Sequence, residues 1–218
     1  MKKSITFILV LALFSCSTSI DNVTITQVES NYPIIIGFVP SQDSIGYIAF
    51  PLAFRISQNS FGEMRISSCT YFFNSKHRYT GRNNWRGDIV LWAKDHENLV
   101  CPTKDNTLIE IKRKPQEFVS YVYYNDLTKE AQRLIHGQIK STCIATNKDT
   151  IHWKSIQELK QTSPEFIRNF LQNDSVSFSF RYRKLYGEWE LTHINLLVED
   201  SNYSAIPDIY SAYQFIKP

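Results

Sequence analysis

The eight residues from Val176 to Arg183 alternate strictly between apolar or aromatic side chains and polar or charged ones. Even positions carry Val, Phe, Phe and Tyr, and odd positions carry Ser, Ser, Arg and Arg. Because successive side chains of a β-strand point to opposite faces, this pattern predicts a strand with one apolar face. A turn near residues 184–187 leads into a second strand at residues 189–198. The two strands together predict a long C-terminal antiparallel hairpin.

Signals for helix starts precede this hairpin. Asp126 or Thr128 can cap a helix whose inward-facing residues recur at helical spacing, namely Ala131, Leu134, Ile135, Ile139 and Thr142. Ser155 has capping-box spacing with the glutamate three residues later. Ser163-Pro164 marks a further helix start, with proline at the first helical position. We therefore expect two or three helices, which can cover the apolar face of the hairpin.

The residues before the helices predict strands and turns. Pro51 lacks an N–H group, so we expect a strand break or an edge position there. Residues 76–86 are polar and typical of a turn. The fold class predicted is α+β, with a β-rich N-terminal half that forms an antiparallel sheet or sandwich. The predicted strands of this half cover residues 33–39, 45–50, 52–56, 64–73, 89–93, 107–112 and 117–124.

The N-terminus carries a signal for export. Lys2 and Lys3 precede an apolar run, Ile5–Phe14, that is too short to cross a hydrocarbon layer of roughly 30 Å. The residues Leu13-Phe14-Ser15-Cys16 resemble the lipobox of bacterial lipoproteins. This resemblance covers residues 1–16 only, and it implies that Cys16 is lipidated and becomes the new N-terminus. The alternative is an ordinary signal peptide with an incidental cysteine.

The anchor divides the chain and sets its expected location. Residues 1–15 are the predicted signal peptide, residues 16–31 a tether, and residues 32–218 a single globular domain with a possible subdivision near residue 125. The resemblance implies attachment to the membrane through the N-terminal lipid. Ser17 is not the acidic residue that retains some lipoproteins at the inner membrane, so the outer membrane is favoured.

The composition narrows the classes of partner. Apolar residues make up 43% of the chain and charged residues 21%, as in an ordinary folded protein. Once Lys2 and Lys3 are removed with the signal peptide, 22 basic residues balance 21 acidic ones. A dedicated nucleic-acid binder normally carries a strong basic excess, so we expect no nucleic-acid partner.

Three cysteines remain if Cys16 is lipidated: Cys69, Cys101 and Cys143. An odd number permits at most one intramolecular disulfide in the oxidising envelope and leaves at least one free thiol. A Cys69–Cys101 pair is favoured, because both residues belong to the β-rich half. All three can equally be small buried apolar residues.

The chain lacks the common catalytic signatures, namely the Walker loop, the dinucleotide glycine fingerprint, the nucleophile elbow, His-Glu-x-x-His and paired Cys-x-x-Cys. Asp95-His96-Glu97 is interpreted as a polar turn rather than a metal site, and we expect no metal and no cofactor. Glu188 and Glu190 are two residues apart on a predicted strand, at a spacing that overlaps that of glycosidase carboxylates. Arg181 and Arg183 on the facing strand are expected to neutralise them as cross-strand pairs.

The stretch from residue 65 to residue 86 is basic and aromatic, and no acidic residue lies between Glu63 and Asp88. Arginine can clamp carboxylates or phosphates, and tyrosine and tryptophan can stack on sugars. The alternative is a solvated loop between two strands. The candidate ligand-binding residues of this stretch are Arg78, Arg82, Trp85 and Arg86.

Taken together, these observations predict a lipid-anchored envelope protein that binds an envelope protein or a glycan without catalysis. One alternative is a hydrolase of glycans or cell wall that uses the carboxylates of Glu188 and Glu190. A second alternative is an immunity-type or structural assembly lipoprotein. An exposed apolar strand edge would favour the assembly alternative.

Overall fold

A computed structural model describes residues 23–39, 44–59, 62–73, 85–96, 98–100, 108–139, 149–183 and 189–198, apart from the side chains of residues 85, 189 and 190. The helices within these residues are α1 (Lys129–Ile139), α2 (Ile156–Thr162) and α3 (Pro164–Leu171). The strands are β1 (Val23–Val28), β2 (Pro33–Phe38), β3 (Ile45–Gln58), β4 (Met64–Phe73), β5 (Trp85–Asp88), β6 (Trp92–Asp95), β7 (Asn98–Val100), β8 (Ile109–Glu110), β9 (Gln116–Asn125), β10 (Thr150–Ser155), β11 (Ser175–Arg183) and β12 (Trp189–Leu197).

The strands form two antiparallel sheets. The first sheet has seven strands in the order β10-β2-β3-β9-β6-β7, and β1 pairs with the second half of β3 beside β2. The second sheet has five strands in the order β12-β11-β4-β5, and β8 pairs with β4 beside β5. This architecture confirms the predicted α+β class with antiparallel sheets. None of the described helices is long and apolar enough to cross a membrane.

The main core lies between the two sheets. Phe54 of the first sheet meets Phe178 of the second, with the ring centroids 5.1 Å apart, and both side chains are fully buried. Helix α3 packs on the same face of the first sheet, where Phe170 lies 5.5 Å from Phe50. Burial of each such ring contributes about 1.5–3 kcal/mol. The face of the first sheet that carries Phe50 and Phe54 is therefore the inner face, and the opposite face is the outer face.

The predicted helix starts are confirmed. Thr128 accepts a hydrogen bond from the backbone N–H of Ala131 at 3.1 Å, whereas Asp126 precedes the helix with a positive φ of 52°. Ser155 and Glu158 form the capping box of α2. Ser163-Pro164 begins α3. The predicted apolar stripe of α3 is buried, because its side chains face the core: Phe166, Ile167, Phe170 and Leu171.

Of the two alternatives predicted for Pro51, the edge position is confirmed and the strand break is wrong, because β3 runs without interruption through this residue. The pairing explains why a proline is tolerated there. β9 pairs with β3 on one side throughout this stretch. On the other side, β2 pairs with β3 only as far as Ala49, and β1 pairs with it from Ala53 onward. Pro51 thus lies in a gap between two neighbours, which is a local edge.

Several predicted bounds differ from the structure. Residues 23–28, assigned to the tether, form β1 and bury Val23 and Ile25, so the folded body includes residues before 32. The strand predicted at residues 89–93 begins instead at Trp92, and Val90 is exposed. Residues 85–88, assigned in part to a turn, form β5. The strand predicted at residues 107–112 is reduced to two described residues, because only these pair with β4.

A buried polar cluster joins the two sheets. The hydroxyl of Tyr71 in β4 donates a hydrogen bond to Oδ2 of Asp174 at 2.7 Å. The hydroxyl of Tyr124 in β9 contacts the same carboxyl oxygen and lies 3.0 Å from the backbone oxygen of Phe170. All three polar side chains are fully buried. Burial, together with the nearby Tyr124 and Asp174, raises the pKa of Tyr71 well above its usual value. This arrangement fixes β4, β9 and the turn before β11 relative to one another.

Candidate functional site

Half of the predicted binding stretch, residues 74–84, lies outside the residues that the structure describes. This applies to Arg78, Arg82 and the side chain of Trp85. Arg86 is exposed on β5, where its backbone lies opposite Phe72 of β4. A common surface formed by these four residues therefore stays a prediction.

The structure describes the predicted lipidation residue and the predicted carboxylate pair only in part. Cys16 and Glu188 lie outside the described residues, and for Glu190 the structure describes the backbone only. Glu190 lies opposite Tyr182, whereas Arg181 and Arg183 lie opposite Leu191 and Trp189. Residues directly opposite each other in an antiparallel pair share a face. The predicted cross-strand pairing of the two arginines with Glu190 is therefore wrong, because the register places them on opposite faces.

Cys69 is a free, buried thiol in β4. The free, buried thiol agrees with the interpretation of Cys69 as a small apolar core residue and not with the favoured Cys69–Cys101 disulfide. Cys101 itself lies outside the described residues. Burial raises the pKa of the Cys69 thiol well above its usual value, and the charge of Asp88 adds to this effect. Because the thiolate is the reactive form, Cys69 is suited to packing and not to nucleophilic chemistry.

The outer face of the first sheet carries a cluster of partly exposed aromatic side chains. In β9, the side chains of Tyr121 and Tyr123 point away from the inner face, because Val122 and Tyr124 are buried on the inner one. The register adds neighbouring residues to this face from β3 and β6. We call this surface the aromatic face, and it consists of Tyr47, Trp92, Tyr121 and Tyr123.

Small residues of β3 make room for these rings. Ala49 lies opposite Tyr123, Pro51 lies opposite Tyr121, and Ala53 lies opposite Val119. Four side chains are buried although they belong to the outer face: Ala49, Pro51, Ala53 and Val119. The larger aromatic side chains around them can cover these short side chains. The result is an outer surface on which Tyr123 is 45% exposed and Trp92 is 36% exposed.

Tyr47 is held in place from two sides. Its ring centroid lies 5.5 Å from that of Tyr123, and the two ring planes are inclined at 54°. On the other side it lies over Gly37 of β2, its register partner. A Cβ atom at residue 37 would lie only 2.1 Å from Cε1 of Tyr47. The absence of a side chain at Gly37 is therefore what leaves room for the Tyr47 ring over this residue.

Two hydroxyl groups of this face, those of Tyr121 and Tyr123, are held in their neutral form. Tyr121 donates a hydrogen bond to the backbone oxygen of Pro33 at 3.2 Å. Burial, with smaller effects from Tyr123 and Tyr32, raises the pKa of Tyr121 to about 12. Burial and the nearby Tyr47 also raise the pKa of Tyr123. These two hydroxyl groups are therefore neutral at physiological pH.

A row of charged residues borders the aromatic face on one side. Glu117 of β9 accepts from Arg55 of β3 at 2.7 Å and from Lys94 of β6 at 3.2 Å. The hydrogen bond from Arg55 is the largest cause that lowers the pKa of Glu117, and burial partly opposes it. These cross-strand pairs order the long side chains next to the rings. The side chains of Arg55, Glu117 and Lys94 together carry a net charge of +1.

The side chains of this surface are suited to contacts with a partner. Tyrosine and tryptophan bury large areas at a low cost in conformational entropy, and their polar ends can form hydrogen bonds. Among the described residues, no group of three or more His, Cys, Asp and Glu side chains is placed to hold a metal ion. Comparison of the chain with known protein families, curated proteins and solved structures finds no match.

The sequence carries a local signal for one strand of this face. Residues 117–124 predict a strand with bulky side chains on both faces, and only one of these faces can point into a core between two sheets. The tyrosines at odd positions, 121 and 123, were therefore candidates for an outer surface. The partners from β3 and β6 depend on register, which the sequence does not specify.

Proposed function

We propose that this chain is a lipid-anchored binding protein of the bacterial envelope, without catalytic activity, and that the aromatic face is its contact surface. Cys16 carries the lipid in this proposal, and the outer membrane is its location. The body that presents the aromatic face is a single α+β domain in which the last two described strands form the predicted antiparallel hairpin.

One observation carries the proposal. The aromatic face combines four aromatic side chains on a sheet face where Tyr123 and Trp92 remain accessible. Aromatic residues that can be buried elsewhere are exposed here at a cost, since water is a poor solvent for them. A cluster of this kind on one face, with a charged border, is typical of a recognition surface.

The geometry favours a partner with flat, weakly polar surfaces. The Tyr47 and Tyr123 rings are inclined to each other, so they can contact a chain that twists along the sheet. The charged border formed by Arg55, Glu117 and Lys94 is internally paired. It therefore offers hydrogen bonds more than net charge. An envelope glycan or an extended segment of an envelope protein satisfies these conditions.

Retention of an envelope component by the immobilised protein tests the contact surface. Detergent-solubilised envelopes are passed over the parent protein, over a Tyr47→Ala/Tyr123→Ala variant and over a Phe72→Ala control. Phe72 is a partly buried aromatic residue of the second sheet, so its loss removes a ring without altering the aromatic face. We expect the Tyr47→Ala/Tyr123→Ala variant to lose the retained component and the control to keep it. Equal retention by all three proteins would contradict the proposal.

A separate experiment tests the anchor. A Cys16→Ser variant lacks the residue that the lipobox resemblance identifies as the lipid carrier. We expect the parent protein to fractionate with outer-membrane vesicles on a density gradient and to incorporate radiolabelled palmitate. The Cys16→Ser variant is expected to do neither. Palmitate labelling of the Cys16→Ser variant at the parent level would contradict the assignment of the anchor.

A further inference from the structure

Strand β12 lies at the edge of the second sheet. Nine residues of β12, Trp189–Leu197, pair in register with the nine residues of β11. In the order β12-β11-β4-β5, no other described strand lies beside β12. One side of its backbone therefore presents N–H and C=O groups that no described strand takes up.

Among the described residues, this edge lacks several of the features that protect edge strands. Natural proteins place proline, lysine, bulges or very short strands at such positions. β12 contains neither proline nor lysine, and its register with β11 has no shift over nine positions. At the other edge of the same sheet, β5 is only four residues long. The two edges of the second sheet thus differ in their capacity to accept another strand.

The face of β12 that points away from the core carries two exposed leucines. Leu191 is 57% exposed and Leu197 is 38% exposed. His193 and Asn195 lie between them on the same face, since alternate residues of a strand share a face. Ile194 lies at the midpoint, three residues from each leucine, and its side chain is buried on the other face.

The spacing of Leu191 and Leu197 about Ile194 is compatible with a two-fold axis. If two β12 strands pair antiparallel about a two-fold axis at Ile194, each Leu191 lies opposite Leu197 of the second copy. His193 then lies opposite Asn195, so apolar residues meet apolar ones and polar residues meet polar ones. An isologous interface requires a surface that is complementary to itself in this way. A shift of the register by two residues would place Leu191 opposite Asn195.

We propose that two copies of this chain associate through antiparallel pairing of their β12 strands centred on Ile194. The pairing joins the two five-stranded sheets into one continuous sheet of ten strands. Main-chain hydrogen bonds supply the association, and the two Leu191–Leu197 contacts fix the register. The aromatic face belongs to the other sheet, so the dimer leaves it accessible and does not depend on the proposed function.

Charge substitutions at the two leucines test the register. In a Leu191→Glu/Leu197→Glu variant, both contacts across the axis join like charges. In a Leu191→Glu/Leu197→Lys variant, both contacts join opposite charges. Within each copy, Glu at residue 191 lies opposite Arg181, so the variants keep a favourable pair in the β11–β12 ladder. A Val90→Glu variant is the matched control, because Val90 is 52% exposed and lies outside β12.

The assay is sedimentation equilibrium of the purified protein in a density-matched detergent, over a range of protein concentrations. We expect the parent and Val90→Glu proteins to approach twice the monomer mass as the concentration rises. The Leu191→Glu/Leu197→Glu variant is expected to dissociate at least about tenfold more readily, and the Leu191→Glu/Leu197→Lys variant to return to within about threefold of the parent. Circular dichroism and thermal unfolding verify that all four proteins are folded.

Three results would overturn the inference. The first is a parent protein that remains monomeric up to about 0.1 mM. The second is a dimer that the Leu191→Glu/Leu197→Glu variant does not weaken. The third is a dimer that this variant weakens and that the Leu191→Glu/Leu197→Lys variant does not restore, because such a dimer would use the leucines in another register.

Discussion

Substitution of Tyr71 by phenylalanine removes one hydroxyl group from the buried polar cluster and leaves the ring in place. The hydroxyl of Tyr71 donates to Asp174 at 2.7 Å and lies 3.1 Å from the hydroxyl of Tyr124. Tyr71 and Asp174 have no exposed surface, so solvent water does not replace the lost hydrogen bond readily. The change therefore leaves a buried carboxyl group with one donor fewer.

The expected loss of stability follows from this geometry. A hydrogen bond to a charged group contributes about 1.5–3 kcal/mol, and an unsatisfied buried polar group costs about 1–3 kcal/mol. We therefore expect Tyr71→Phe to lower the free energy of unfolding by about 2 kcal/mol. For a chain of this length, this corresponds to a fall in Tm of about 4–8 °C. Tyr124→Phe should cost at least as much, since the hydroxyl of Tyr124 also lies 3.0 Å from the backbone oxygen of Phe170.

Urea unfolding, followed by circular dichroism and tryptophan fluorescence, measures these losses. The Tyr71→Phe/Tyr124→Phe protein completes a double-mutant cycle, and we expect a coupling free energy of about 1 kcal/mol, because both hydroxyl groups contact Asp174. Tyr123→Phe is the matched control, since this side chain is 45% exposed, and it should change stability by less than about 0.5 kcal/mol. A loss below about 0.5 kcal/mol for Tyr71→Phe, or no coupling, would refute the reasoning.

Three further predictions concern single residues. Glu117→Gln should lower the free energy of unfolding at pH 7 by less than about 1 kcal/mol, because Glu117 is partly exposed. Folding lowers the pKa of Glu117, so its contribution is lost as the pH falls through the folded-state pKa. The difference in stability between Glu117→Gln and the parent should therefore disappear in acid titrations. Cys69 should react with a thiol reagent only after unfolding, because it is buried with a raised pKa; rapid labelling of the Cys69 thiol in native protein would contradict this. Gly37→Ala should displace the Tyr47 ring, which lies 2.1 Å from the added Cβ atom, and should weaken retention of the envelope component with a small loss of Tm; unchanged retention would indicate that the position of Tyr47 is not required.

The sequence predicted the elements whose signal is local. The alternation at residues 176–183 sets which side chains of β11 face the core, and the capping residues set where α2 and α3 begin. Each of these signals depends on neighbours within a few residues along the chain. The α+β class follows from the order of these local elements.

The features that the sequence did not predict depend on distant residues. Pro51 predicts a strand break or an edge position, and only the positions of β1 and β2 show that it is an edge, in the gap between their pairings with β3. Asp174 follows a helix like an ordinary turn residue, yet its partner Tyr71 lies 103 positions earlier in the chain. Tyr47 joins the aromatic face through its contact with Tyr123, 76 positions later in the sequence. Pairings of this kind depend on register and topology, which local patterns do not specify.

Site-specific photo-cross-linking in living cells tests the aromatic face most directly. A photoreactive phenylalanine analogue replaces Tyr123 in one strain and Phe72 of the second sheet in another, and both proteins keep Cys16. On irradiation, we predict a discrete adduct of an envelope protein or glycan from residue 123, and none from residue 72. The adduct should disappear when Tyr47→Ala is added to the first protein. A binding role for this face would be contradicted by adducts of equal yield from both positions, or by the absence of any adduct from residue 123.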